Sequence, residues 1–177
     1  MLRPIEIYLP FISGSFRSIE SDIMPENEQL IHGKIERHFK FLLDRGFRIR
    51  SVKYYPQYMG NWIARLESQE CLIDITNDRG EITLSVGPKN EEKELMWFGL
   101  KTIVFYLSKG KKLISSYEGE LREKDKQFER LVEILVEYID EIVLIMGKDF
   151  GKHRLNLQAA KKQVLGLDVH SSSKRLP

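Results

Sequence analysis

The sequence is short of several features that would point to a class. It has one cysteine, Cys71, in 177 residues. A lone thiol forms no internal disulfide, which excludes oxidative stapling and suits a reducing compartment. No apolar run approaches the roughly 18 residues that a membrane-spanning helix needs. The opening stretch carries Glu6 early and breaks its short apolar run at Pro10, a poor pattern for a secretory leader. Neither charge sign dominates: 28 Lys and Arg stand against 26 Asp and Glu, a formal net of +2. That balance argues against a general nucleic-acid coat and against a disordered polyelectrolyte. The 12 glycines are scattered, and none forms a strand-to-helix phosphate cradle with a lysine. His32 and His38 stand six apart, on different faces of a helix, unlike the i, i+4 pair of a two-histidine metal site. The expectation is a soluble cytoplasmic protein with no membrane partner, no metal and no cofactor.

What is present builds a domain. The composition is 42% hydrophobic and 31% charged, over a length that suits one core. Residues 1–26 read as an N-terminal arm with an edge strand, since Ile5, Ile7, Leu9 and Phe11 alternate with polar or proline positions. Residues 27–45 carry Leu30, Ile31, Ile35, Phe39, Leu42 and Leu43 at helical spacing, and Gly46 suits the left-handed position after a helix end. The period then drops to two. Strands are predicted over 47–55, 62–67, 71–75 and 82–86, with turn residues between them. Links this short require antiparallel neighbours. A second helix is predicted over 92–108 with Trp97 on it, and a third over 120–146. The fold class is α+β: a four-stranded antiparallel meander covered by helices, in the order helix, four strands, helices. The domain spans 27–147. Residues 148–177 form a basic tail with a short helix at 153–165 and a disordered end.

No constellation assembles a catalytic set. Cys71 opens a strand with no histidine near it, as a small buried hydrophobe would. Asp74, Asp78 and Glu81 are the candidates for metal-dependent hydrolysis, with Asp74 and Glu81 facing each other across the hairpin. Thr83 stands where a nuclease pattern would place a lysine, and Asp78 also suits the turn itself.

Charge patterning says more. Glu129, Glu133, Glu137 and Glu141 recur every four residues, a ridge on one side of the long helix that suits a basic protein partner. Arg48 and Arg50 share a strand face and are followed by Tyr54 and Tyr58, a second interface candidate. Residues 148–177 hold seven basic residues and two acids, which with Arg48 and Arg50 makes nucleic acid the alternative partner. The long helix has more apolar positions than one face needs, which fits a homo-oligomer formed through it.

The strings Phe39 to Phe47, Tyr54-Tyr55-Pro56, Gly60-Asn61-Trp62, Asn77 to Gly80 and Trp97 resemble small bacterial immunity-like proteins of polymorphic toxin systems, over residues 28–108. The resemblance implies a small non-enzymatic binder that neutralises or scaffolds a partner protein, and it brings no catalytic residues with it.

Overall fold

The structure, a computed structural model, describes residues 26–90, 96–114 and 123–173. The expected N-terminal edge strand lies outside them. The first helix is two pieces: α1 (Glu26–His38), then a break at Phe39 (φ −108°, ψ 24°), then α2 (Lys40–Asp44). Ile31, Ile35, Phe39 and Leu42 face inward. Gly46 takes φ +87°, and the Phe47 amide turns back to donate to the Leu42 carbonyl at 3.0 Å. This is the left-handed helix stop that the sequence predicts.

β1 (Arg48–Tyr55), β2 (Asn61–Glu67), β3 (Cys71–Asp78) and β4 (Glu81–Pro88) form the antiparallel meander. The β3–β4 turn has two central residues, Arg79 and Gly80, both at positive φ. Such a turn matches the twist of the paired strands. Asn61 braces it, accepting from the Arg79 amide at 2.8 Å and donating to the Asp78 carboxylate at 2.7 Å.

The sheet also has a fifth strand. Phe98 and Gly99 (β5) pair with Val86 and Ser85, and only then does α3 (Leu100–Leu107) begin. Trp97 therefore precedes a strand and does not lie on a helix, which corrects the predicted 92–108 helix. An apolar run with no polar punctuation carries no period-two signal, so the sequence hides this strand. β1 also departs from strict alternation. A bulge between Ile49 and Ser51 inserts Arg50 as an extra residue. It moves Ile49 onto the face of Val52 and Tyr54, where strict alternation opposes them.

One face of the sheet meets the helices. Val52, Ala64, Ile75 and Leu84 make one row across four strands, and Leu66, Ile73, Val86 and Phe98 another. They pack with Ile103 and Val104 of α3 and with Phe128, Leu135, Ile139 and Ile142 of α4 (Lys124–Met146). The last helix, α5 (Phe150–Ser173), is far longer than the predicted 153–165 and belongs to the fold: Phe150 and Leu157 are in the core cluster, and Ala160 and Val164 are buried. Among the described residues no helix is long and apolar enough to cross a membrane.

His38, at the end of α1, stacks on Phe128 with ring centroids 4.6 Å apart. Burial holds its imidazole below the ordinary 6.5, helped by Arg37 and opposed by Asp125 and Glu129. The unfolded chain thus takes up the proton more readily, so stability falls as the pH drops below about 6.5. Urea midpoints measured between about pH 7.5 and about 5.5 should decline more for wild type than for His38→Phe. Equal declines would remove His38 from the acid response.

Candidate functional site

α4 presents its acids to solvent. Glu129, Glu133, Glu137, Asp140 and Glu141 are all exposed. Some are engaged within the fold. Lys112 donates to Glu137 at 2.7 Å, which holds that carboxyl below its usual range and raises the ammonium. Arg45 pairs with Asp140. Among the described residues Glu133 and Glu141 have no ion-pair partner. On the same side stand Val136, between them, and Leu144, about a turn beyond Glu141, 51% and 50% exposed. The other apolar positions that widen this helix are used internally: Ile145 is buried, and Ile134 and Tyr138 pack against the core.

The Arg/Tyr patch does not assemble as one surface. Arg48 and Arg50 sit at the start of β1, and Tyr54 lies six residues on, roughly 20 Å away along an extended strand. Tyr54 is on the helix-covered face and packs against the core, while Tyr58, 62% exposed, lies in the one-turn helix Pro56–Tyr58. Both arginines reach one carboxylate: Arg48 lies 3.2 Å and Arg50 3.5 Å from Glu67. Lys89 joins them at 3.0 Å. Hydrogen bonds from Lys89 and then Arg48 keep the Glu67 carboxyl below its usual range against the opposing effect of burial.

The basic tail is likewise partly structural. Lys152 pairs with Asp149 at 2.6 Å, and Lys161 donates to the Trp97 carbonyl at 3.3 Å while lying over the Phe98 ring.

The second face of the sheet holds an arrangement that the sequence does not announce. Register sets Ser51, Arg65, Asp74 and Ser85 in one row across four strands. Arg65 grips Asp74 with two parallel bonds, Nε to Oδ1 and Nη2 to Oδ2, both 2.7 Å. Its guanidinium also lies 4.8 Å from the centre of the Trp97 ring. A pocket of about 360 Å³ opens here, with Lys53, Tyr55 and Ile63 completing its lining. Towards one end this face closes over Leu72, which is fully buried, and over Gly87. A Cβ on Gly87 would lie 2.8 Å from two atoms of the Trp97 ring. Gly87→Ala should therefore displace the indole and cost about 1–3 kcal/mol in urea unfolding. A wild-type midpoint with unchanged tryptophan emission would contradict this packing.

The register also corrects the proposed carboxylate set. Asp74 faces Ser85, and Glu81 faces Asp78. Asp74 and Glu81 are four positions apart along the ladder, and Asp74 is committed to Arg65. Among the described residues no three His, Cys, Asp or Glu side chains group as a metal site. Cys71 is buried, and desolvation pushes its thiol up to about 11, far from the thiolate that nucleophilic chemistry uses.

Compared with family models, with curated proteins and with solved structures, the chain matches none.

Proposed function

We propose that this chain is a non-enzymatic, cytoplasmic protein-binding module whose contact surface is the solvent face of α4, in an immunity- or antitoxin-like role or as an accessory subunit of a bacterial complex. One observation carries the reading. Exposed Val136 and Leu144 lie among exposed acids, of which Glu133 and Glu141 have no ion-pair partner among the described residues. Aliphatics ringed by charge suit a protein interface: the apolar part supplies burial, and the charges steer encounter and select the partner. The matching surface is basic with an apolar centre. A symmetric pair of copies through this face would set acids against acids, so a different, basic protein fits better than a homodimer.

Nucleic acid is the weaker reading, because Arg48, Arg50, Lys152 and Lys161 all have partners within the fold. The test is capture of the tagged chain from its host with nuclease treatment. A stoichiometric protein that survives nuclease supports the reading. Loss of everything on treatment moves the site to the basic surfaces.

A further inference from the structure

The pocket on the second sheet face is separate from the α4 surface, and its lining has a chemistry of its own. Its volume of about 360 Å³ falls within the range of small-ligand sites. Among the described residues two cations line it, Lys53 and Arg65, with one carboxylate, Asp74. Asp74 is already matched by the two-bond fork from Arg65, which leaves the lysine ammonium as the surplus charge; among the described residues Lys53 has no ion-pair partner. The fork and the Trp97 ring together hold the guanidinium in place, so little freedom is lost when a ligand arrives. Arg48, Arg50 and Lys89 surround Glu67 at the end of the same face and add further positive potential. Ile63, Tyr55 and Trp97 give the lining its apolar and aromatic surface. Ser51 and Ser85 add hydroxyls at the ends of the Arg65–Asp74 row.

We propose that this pocket binds a small organic anion: a planar ring carrying a phosphate or carboxylate, with the ring against Tyr55, Ile63 and Trp97 and the charged group at Lys53. An ordinary solvated sheet face needs neither the clamped arginine nor the glycine that lets Trp97 lie over it.

Tryptophan emission can test this. Trp62 is core-buried and stacked on Phe128, so a ligand at this face reports through Trp97. The probes are phenyl phosphate, benzoate, benzyl alcohol and inorganic phosphate. Phenyl phosphate or benzoate should give a saturable change at submillimolar concentration, and whichever binds tighter identifies the anionic group. Benzyl alcohol and inorganic phosphate should each bind at least about tenfold more weakly, because each lacks one half of the contact. Lys53→Gln, a change at an exposed position, should weaken the ring-bearing anions by about tenfold. The proposal is overturned if neither anion saturates below about 10 mM, if Lys53→Gln binds as wild type does, or if inorganic phosphate alone binds as tightly.

Discussion

Phe128→Ala is expected to cost about 3–5 kcal/mol, the range for emptying a fully buried aromatic site. Phe128 is 1% exposed and joins three elements. Its ring stacks on His38 of α1 and on Trp62 of β2, with centroids 4.6 and 6.2 Å away, and meets Phe39 edge-on at 5.9 Å. Removing it leaves a void between α4, α1 and the sheet, lined by groups whose positions depend on the lost ring. Against a whole-domain stability of about 5–15 kcal/mol, that loss would leave a large unfolded fraction in mild denaturant. Urea unfolding measures it, and Trp62 emission should shift to the red as its stacking partner disappears. Phe128→Leu keeps most of the volume and should cost much less. A loss below about 1 kcal/mol for the alanine variant would mean that the helix-to-sheet junction is not held as described.

The second large effect is on binding. Reversing Glu133 and Glu141 to lysine together removes two attractive charges and installs two repulsive ones. For a basic partner the expected loss is about 2–4 kcal/mol, roughly 30- to 1,000-fold in affinity. The fold should tolerate the change. Both side chains are exposed and have no ion-pair partner among the described residues, and the reversals relieve like-charge neighbours spaced four apart on the helix. Glu137 and Asp140 are poorer targets because Lys112 and Arg45 already hold them. Arg48→Glu and Tyr58→Ala serve as controls from the dispersed Arg/Tyr positions and should leave the affinity within about twofold. Added salt should weaken wild-type binding and narrow the gap between the two proteins, since exposed charges are screened within about 10 Å at moderate ionic strength. An unchanged affinity for the double reversal would remove the α4 face from the proposal.

The meander was legible because its signals are local. Period-two alternation and turn residues such as Asp78-Arg79-Gly80 need no knowledge of the rest of the chain. The same holds for the Gly46 stop and the outward row on α4. What escaped depends on pairing. A two-residue strand at Phe98 has no period to read. The Arg50 bulge is invisible until Ile49 is set opposite Leu66, and one inserted residue reassigns the faces around it. Register likewise placed Asp74 opposite Ser85, not Glu81. The pocket follows from the same register: Arg65 and Asp74 are nine residues apart in sequence, and Trp97 reaches them only because β5 returns along β4. The one hint was an arginine and an aspartate at outward positions of neighbouring strands, a pattern that solvation alone also produces. α5 was underestimated because its buried positions, Phe150, Leu157, Ala160 and Val164, are sparse among lysines and small residues. Its packing comes from α3 and α4, not from a strong stripe of its own.

The central claim, that the α4 face is the contact surface, is tested most directly by carboxylate footprinting of the captured complex. Carbodiimide labelling would be read residue by residue in the free chain and in the saturated complex. Strong labelling of Glu133 and Glu141 in the free chain is predicted to fall on binding, while exposed Glu36 on α1 labels equally in both states. Equal labelling of Glu133 and Glu141 in free and saturated protein would contradict the account.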